Sequence, residues 1–335
     1  MAADPPRVTF LLLARDQERF VGEAVAGALA QDYPNLEILL SDHESRDRTF
    51  AIMAEAASAY RGPHRIVLHR STSPLGVLGH AFDALGRATG ALIVAAAGDD
   101  VSRPERVSRL AARWRETGAA VLWSASERID EAGRPLGPGP RSTDTFPAMR
   151  GHLDRAADYF AGGDVPVLHG AAAAYDRRAV EAVAAPDFPV ATEDFFLTMM
   201  LALRGARFAF VDEPLILWRR HEAALSRPPS LLRTLEAQEA GIARHSAARM
   251  RILRHVEAAA TTGTGFRTDW GTPAPVDLAR LRADAAFHEA LAGWDRLGFA
   301  ARLAAIARAR SRAQRRSLLP RLFGRPVLAL LKRLR

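Results

Sequence analysis

The sequence has no cysteine and a single lysine, Lys332, among its 335 residues. Without cysteine the protein cannot contain a disulfide scaffold, a thiolate zinc site or an iron–sulfur cluster, and it has no thiol nucleophile. It also lacks the run of about 18 apolar residues that a membrane-spanning helix requires, since its most apolar stretches are Ala91–Gly98 and Val165–Tyr175. No charged segment followed by an apolar one opens the chain, so we predict no signal peptide and expect residence in the cytosol.

Charge is divided unevenly along the chain. The 46 Lys and Arg outnumber the 38 Asp and Glu, which gives a net charge of +8. Residues 296–335 hold twelve of these basic residues and no acidic one, so the first 295 residues carry a net charge of −4. A mildly acidic body with a basic tail argues against nucleic-acid binding by the whole chain.

Short apolar runs alternate with amphipathic segments, which predicts an α/β fold with a mostly parallel sheet. Ligand-binding residues of such a sheet lie just beyond the carboxyl ends of its strands. Predicted strands are Val8–Leu13, Leu36–Leu40, Ile66–Leu68, Ala91–Ala97, Ala119–Ser124, Val165–Tyr175, Arg207–Val211 and Leu215–Arg219. Predicted helices include Asp47–Tyr60, His80–Ala88, Glu105–Thr117, Glu193–Leu203, Leu231–Ala260 and Leu278–Arg316, and the polar stretch 134–146 is predicted to be a mobile loop and a candidate lid.

Three acid-bearing segments follow predicted strands: Arg15-Asp16, Asp42–Asp47 and Asp99-Asp100. Asp99 and Asp100 are adjacent carboxylates, and Mg²⁺ or Mn²⁺ commonly binds such groups together with substrate phosphates. Read alone, the pair also fits a helix N-cap. Asp42 could accept a hydrogen bond from a nucleobase, although Asp and Ser also favour an ordinary strand–turn–helix junction.

Two further segments carry candidate chemistry. Glu193 and Asp194 open a predicted helix, where like charge and partial burial can raise one pKa into the range of a general base; the alternative is that they complement the helix dipole. The run Arg219–His221 could hold a diphosphate through charge-assisted hydrogen bonds, or could be a basic surface turn.

The order of these segments resembles inverting glycosyltransferases of family 2, which have the GT-A fold. The resemblance covers about residues 7–227, two thirds of the chain. Gln31–Glu37 (QDYPNLE) and Ser41–Thr49 (SDHESRDRT) are similar to the family's Q-x-Y-x-x-x-E…D-D-G-S-x-D-x-T signature. The remaining similar segments are Arg7–Asp16 with the opening strand, 75–77, 88–93, 98–100 and 104–106 with the approach to the acidic motif, and Glu193–Leu197 and Arg219–Ser226 with the E-D and R-x-H motifs.

The resemblance implies a role for each motif. Asp16, Asp42, His43, Asp99, Arg220 and His221 would bind the nucleotide sugar, Asp100 with Asp99 would bind Mg²⁺ or Mn²⁺, and Asp194 would be the base, oriented by Glu193. The donor would be a nucleoside diphosphate sugar, and the acceptor a hydroxyl of a glycan, a lipid-linked glycan or a small molecule. Residues 1–227 would form the GT-A domain, with a nucleotide half at about 1–125 and an acceptor half at about 126–227, and residues 228–335 a helical C-terminal region.

The chain also departs from the family pattern. His43-Glu44 replace the common Asp-Gly, and Ala97 stands where many members have a third acid. His80–Phe82 lack the Arg-Asn found in many relatives near the phosphates. These departures leave open which nucleobase the donor carries and whether the enzyme is weakened or inactive.

The basic tail at 325–335 has Leu and Val on one helical face and Arg or Lys elsewhere. Such a helix either lies peripherally on the anionic inner face of the cell membrane or docks its apolar face on the protein.

The sequence also bears on two rival functions, a nucleotidyltransferase and a non-catalytic binding protein. A nucleotidyltransferase, like a dinucleotide-binding oxidoreductase, would need a glycine-rich loop after the first strand, and Leu13–Gln17 contains no glycine. A non-catalytic nucleotide-sugar-binding or scaffold protein of a membrane-associated glycan assembly remains a rival, which substitution of Asp194 would separate from an enzyme.

Overall fold

The structure is a computed structural model that describes residues 4–74, 76–139, 169–190, 192–224, 234–262, 276–309 and 312–322. Two compact units make up the chain: Met1–His221 with Gly265–Pro275, and Glu222–Thr264 with Val276–Arg335. Among the helices in these described ranges, none is long and apolar enough to cross a membrane.

A single mixed sheet forms the centre of the first unit. Its strands, within the described residues, are β1 (Val8–Ala14), β2 (Leu36–Asp42), β3 (Arg65–Arg70), β4 (Leu92–Ala97), β5 (Val101–Ser102), β6 (Val121–Ile129), β7 (Pro135–Pro138), β8 (Ala173–Asp176) and β9 (Phe208–Arg219). They lie in the order β3-β2-β1-β4-β8-β6-β9-β5, with β7 paired to β6. The predicted α/β sheet flanked by helices is therefore confirmed.

The first four strands of that order are parallel, and their register aligns their carboxyl ends. Ala14 of β1 lies opposite Asp42 of β2, and Leu13 lies opposite Ala97 of β4. These strands are apolar along most of their length because helices cover both faces of a parallel sheet. The strands β8 and β7 then pair antiparallel to their neighbours.

Helices of the first unit are α1 (Val21–Leu29), α2 (Thr49–Ala59), α3 (Gly76–Leu85), α4 (Arg106–Thr117), α5 (Arg177–Glu181) and α6 (Glu193–Leu203). The predicted helix at Glu193–Leu203 has the predicted bounds, and α2 and α4 lie within two residues of theirs. The α3 helix begins earlier than predicted, at Gly76, whose φ of +69° brings it close to the backbone of Val190.

Three local predictions were wrong. Arg207–Val211 and Leu215–Arg219 belong to one strand, β9, because register shifts opposite Ser124 and Ala125 let the chain pass Pro214 without a turn. Part of the predicted mobile loop at 134–146 is the strand β7, and residues 140–146 lie outside the described part. In the segment predicted as the strand Val165–Tyr175, Gly170–Ala172 form a 3₁₀ turn and β8 covers Ala173–Asp176, while residues 165–168 lie outside the described part.

The second unit is helical in its described ranges, as predicted. It contains α7 (Leu235–Thr262), α8 (Leu278–Ala292), α9 (Phe299–Arg308) and α10 (Arg312–Leu318), with 3₁₀ turns at Trp294–Arg296 and Leu319–Arg321. The single helix predicted over Leu278–Arg316 is broken at Gly293, and Leu291, Trp294, Ala309 and Leu318 then pack into one apolar cluster.

Candidate functional site

Three predicted site segments converge at the carboxyl edge of β2, β1 and β4. The backbone N–H of His43 donates to Ala14 O at 2.9 Å, which holds the loop after β2 against the end of β1. On the other side of β1, the N–H of Gly98 donates to Leu13 O at 2.9 Å. A Cβ on Gly98 would lie 2.7 Å from the Ala14 Cβ, so only glycine permits this close approach. The strand order thus places Asp42 and the Asp99–Asp100 pair on either side of β1.

Asp42 is fully buried, yet one of its carboxylate oxygens has no partner. Its Oδ2 accepts from the Ser45 N–H at 3.1 Å and lies 3.2 Å from Arg70 Nε. Its Oδ1 is the atom without a hydrogen bond from the described residues. A buried acceptor left unpaired costs free energy, so this oxygen is suited to receive an N–H from a bound molecule.

His43 belongs to a small histidine cluster beside Asp42. Its Nε2 lies 2.8 Å from Ser73 O, and its ring stacks on that of His80 at 4.8 Å between centroids. His80 Nε2 in turn lies 2.8 Å from Ser41 Oγ. Burial, together with the neighbouring His43 and His69, lowers the pKa of His80 to about 3, so that ring is neutral. The sequence predicted a role for His43 but none for His80.

Asp16 is half exposed at the end of β1, in the left-handed region with φ of +50°. Its Oδ1 accepts from the Arg46 N–H at 2.8 Å, and its own N–H donates to Ser45 Oγ at 2.9 Å. These contacts fasten the loops that follow β1 and β2 to each other beside the Asp42 pocket.

The Asp99–Asp100 pair lies against the end of β9. Asp100 Oδ1 accepts from the Arg219 N–H at 2.8 Å, and His221 Nε2 lies 3.0 Å from Asp99 Oδ2. The short strand β5, which directly follows Asp100, pairs antiparallel with β9 and creates this approach. Two motifs about 120 residues apart in sequence are therefore in direct contact.

Arg219, which the sequence placed only in the basic run Arg219–His221, is a buried side chain with contacts to several segments. It is 1 % exposed and donates to the backbone oxygens of Asp99, Asp130 and Glu131, and its Nη2 lies 2.8 Å from Glu23 Oε2. Its guanidinium therefore fixes the end of β9 to the acidic motif. The signal available in the sequence was the Arg-Arg-His run, which does not show which arginine is buried.

Arg220 has different contacts from those of Arg219. Its guanidinium lies over the Trp218 ring at 4.4 Å, and its Nη1 is buried without a hydrogen-bond partner among the described residues. Trp218 also contacts His169, whose ring centroid lies 4.6 Å from that of the Trp218 ring. Burial and the charge of Arg106 lower the pKa of His169 to about 4, so it is neutral.

The chemistry of the acidic pair suits a hard divalent cation. Burial and the charge of Asp99 raise the pKa of Asp100 well above its usual range, while Arg106 and Arg219 act in the opposite direction. Carboxylate oxygens are the ligands that Mg²⁺ and Mn²⁺ prefer. Across the described ranges no group of three or more His, Asp or Glu side chains forms a metal cage.

The second acidic pair opens α6. Asp194 Oδ1 accepts from the Phe195 N–H at 2.7 Å, and burial together with the charge of Asp194 raises the pKa of Glu193 to about 8. The pair therefore retains a proton to higher pH than two separate carboxyl groups would. The buried Tyr175, which the sequence did not single out, has its pKa raised well above 10 by burial and by these two carboxylates.

Gly170 packs directly against this pair. A Cβ on Gly170 would lie 2.6 Å from Glu193 Oε1 and 3.2 Å from the Asp194 Cβ. The sequence placed Gly170 inside a strand and did not connect it with the site.

The sequence and the fold are similar to those of known proteins. Residues 5–241 match the model of the family described as glycosyltransferase like family 2. EpsE of Bacillus subtilis (strain 168), described as a glycosyltransferase, is 31% identical over 105 residues, which are 31% of this chain and 37% of that relative's length.

Two solved structures share the fold. The mannosyltransferase PcManGT from Pyrobaculum calidifontis, solved with GDP-Man and Mn²⁺, has a TM-score of 0.57 at 19% identity, covering 98% of this chain and 79% of that one. S. aureus TarS in complex with UDP-GlcNAc has a TM-score of 0.55 at 16% identity, covering 86% and 73%. The matched family model extends over more than half of the sequence, and the chain therefore belongs to glycosyltransferase family 2.

Proposed function

We propose that this protein transfers a sugar, with inversion, from a nucleoside diphosphate sugar to an acceptor hydroxyl of a glycan, a lipid-linked glycan or a small molecule. The observation that carries the proposal is the edge shared by β2, β1 and β4. There the unpaired Oδ1 of Asp42 and the buried Asp99–Asp100 pair flank the end of one strand. Ligands of a parallel sheet bind beyond the carboxyl ends of its strands, and paired carboxylates there can hold the divalent cation that accompanies a diphosphate.

The donor would lie along this edge. Asp42 Oδ1 would accept an N–H of the base, while His43 and Asp16 would shape the walls of the base pocket. Asp99, held by His221, would contact the ribose or sugar, and Arg220 with His221 would approach the diphosphate.

Asp100 and Asp99 would hold Mg²⁺ or Mn²⁺ together with oxygens of the diphosphate. The ion would supply charge stabilisation to the departing diphosphate. PcManGT, solved with GDP-Man and Mn²⁺, supports this proposal. The pair alone provides at most two side chains, which matches the usual binding of Mg²⁺ through one or two carboxylates plus phosphates.

Asp194 would be the general base. Burial and the charge of Asp194 raise the pKa of Glu193, so a proton held on Glu193 would leave the negative charge of the pair on Asp194. Asp194 would take the proton of the acceptor hydroxyl as its oxygen bonds to the anomeric carbon and the bond to the diphosphate oxygen breaks. Neutral Glu193 would donate a hydrogen bond that orients the acceptor or the base.

Donor binding is the first test. Thermal stabilisation by UDP-GlcNAc and by GDP-Man, measured with and without Mn²⁺, should identify one nucleotide sugar that stabilises the protein more strongly with the ion. Stabilisation that does not depend on the ion would remove the role given to Asp100.

Catalysis is tested with Asp194→Asn, using Asp212→Asn on an exposed part of β9 as the matched control. We expect Asp194→Asn to keep the donor affinity and lose release of the nucleoside diphosphate, and the control to keep both. An unchanged product profile in Asp194→Asn would contradict the proposal. NMR of the product's anomeric configuration tests the inversion.

Residues 1–227 would carry this activity, and the helical region 228–335 would serve location. The basic tail at 325–335 lies outside the described residues; its charge pattern supports peripheral binding to an anionic membrane surface. Because Leu318 is buried in the helical cluster, shortening the chain should stop no earlier than Gly324. A chain ending there should sediment less with anionic vesicles than the full chain. Equal sedimentation would show that the tail does not bind the membrane surface.

A further inference from the structure

Arg106 is a buried cation to which the proposed reaction assigns no role. It is the first residue of α4, is 0 % exposed, and lies six residues after Asp100. Its Nη1 donates to Ser102 Oγ at 2.9 Å. A buried arginine is costly unless its donors are used and its charge is balanced, so the position of its remaining donors is informative.

A second nitrogen of the Arg106 guanidinium, Nη2, joins two segments from different parts of the chain. It donates to Ala95 O in β4 at 2.6 Å and to Ala171 O at 2.7 Å. Ala95 belongs to the strand that ends at the Asp99–Asp100 motif, and Ala171 is the centre of the 3₁₀ turn Gly170–Ala172. The guanidinium therefore fixes the distance between that turn and the strand of the acidic motif.

That turn is the surface against which the second acidic pair rests. The space at Gly170 is closed by Glu193 Oε1 and by the Asp194 Cβ, at 2.6 and 3.2 Å from where a Cβ would lie. A shift of the turn would therefore move the Glu193 carboxyl or open a gap behind it. The interaction with Asp100 favours the charged form of Arg106, which burial disfavours.

We infer that Arg106 is a positioning residue that, through the turn Gly170–Ala172, holds the Glu193–Asp194 pair in register with the Asp99–Asp100 pair. Its role is to set the geometry between donor and base without touching either. The inference rests on the proposed function, because it takes Asp194 as the base. Displacement of a reacting group by about 1 Å can cost about 100-fold in rate.

The test variant is Arg106→Lys, which keeps the charge beside Asp100 but lacks the planar fork that reaches two carbonyls. The matched control is Arg204→Lys, which is another buried arginine, located at the far end of α6. The readouts are the dissociation constant of UDP-GlcNAc or GDP-Man with Mn²⁺, whichever binds, and the rate of hydrolysis of that donor without acceptor. We expect Arg106→Lys to lower the rate by about 10- to 100-fold with the dissociation constant within about threefold, and Arg204→Lys to change neither.

Combining Arg106→Lys with Asp194→Asn distinguishes a positioning role of Arg106 from a purely structural one. If Arg106 acts through the Glu193–Asp194 pair, Arg106→Lys has no further effect on the residual rate once Asp194 is replaced. A further loss of rate there, a wild-type rate in Arg106→Lys alone, or a parallel loss of donor affinity would each overturn the inference. If Asp194→Asn itself leaves the hydrolysis rate unchanged, it is the proposed function that fails.

Gly170→Ala tests the same turn from its other side and does not depend on Arg106→Lys folding well. The added Cβ should displace the Glu193 carboxyl and produce the same pattern of a lowered rate with donor affinity retained. The double variant should then be no slower than the slower single variant, because both act on one contact. A wild-type rate in Gly170→Ala, or fully multiplicative losses, would show that the turn does not position the pair.

Discussion

Replacing Glu193 by glutamine should change how both stability and activity depend on pH. The pKa of Glu193 is raised to about 8 because its side chain is buried and Asp194 carries a negative charge beside it. Glutamine has nearly the same shape and stays neutral at every pH. It therefore reproduces the protonated form of Glu193 and removes its titration.

The sign follows from proton binding. Between the unfolded pKa of 4.5 and the folded value of about 8, the folded state holds a proton on Glu193 that the unfolded state has released. The contribution of this group to stability is complete below pH 4.5 and is lost as the pH rises through 8. One proton corresponds to about 1.4 kcal/mol per pH unit, and thus to at most about 5 kcal/mol over the whole interval.

Equilibrium unfolding of the wild type and of Glu193→Gln between pH 5 and pH 9 measures this difference. We expect the variant to gain stability relative to the wild type as the pH rises, and the gain to level off above about pH 8. Glu116→Gln, which replaces an exposed carboxylate on α4, is the matched control and should differ from the wild type by a constant amount. Parallel curves for Glu193→Gln and the wild type would refute the assignment of the proton to Glu193.

Activity gives an independent reading of the same proton. If neutral Glu193 is the functional form, Glu193→Gln should keep most of its turnover at pH 7 and lose the decline that the wild type shows above pH 8. Turnover that collapses at pH 7 in Glu193→Gln would show that the carboxylate itself is needed.

Three further changes test the nucleotide edge. Asp42→Asn should weaken binding of the nucleotide sugar by about 10- to 100-fold in calorimetric titrations, because a hydrogen bond to a charged acceptor contributes about 1.5–3 kcal/mol; unchanged affinity would place the base elsewhere. His221→Ala leaves Asp99 without its 3.0 Å partner. The resulting rise in the KM for the donor, expressed as a free energy, should exceed the loss in the free energy of unfolding, and a wild-type KM would contradict this. Glu44→Gly should raise the free energy of unfolding by about 0.5–1 kcal/mol in denaturant titrations, since Glu44 is exposed and has φ of +49°; destabilisation would show that its side chain stabilises the loop.

The first half of the fold could be predicted from the sequence because its central strands β1, β2 and β4 are buried along most of their length. Runs such as Val8–Leu13 and Ala91–Ala97 have no polar face, and only a sheet covered on both sides accommodates them. The acidic residues that follow these runs were identified for the same reason. Since the carboxyl ends of parallel strands lie at one edge of the sheet, Asp42 and Asp99 had to lie at the same edge, with β1 between the strands that precede them.

The second half could not be read in this way. Pro214 interrupts the apolar pattern of β9, and the local sequence contains no sign that extra residues in β9, opposite Ser124–Ser126 of β6, would let the strand continue. The contacts of Arg219 and Arg106 join segments about 65 to 200 residues apart, which neither periodicity nor spacing reports. The sequence showed that arginines stand near acidic motifs, but burial distinguishes those that build the site from those on the surface.

The buried arginines also change the meaning of the acidic pair. From sequence, Asp99 and Asp100 formed a dense negative charge that a cation would have to neutralise. In the structure Arg106 and Arg219 already counter part of that charge at Asp100, so the site attracts a cation less strongly than two bare carboxylates would. A diphosphate restores negative charge and adds oxygen ligands, so the ion and the donor should bind cooperatively. Calorimetric titration of Mn²⁺ should therefore show much tighter binding in the presence of UDP or GDP than in its absence, and equal affinities would mean that the carboxylates alone hold the ion.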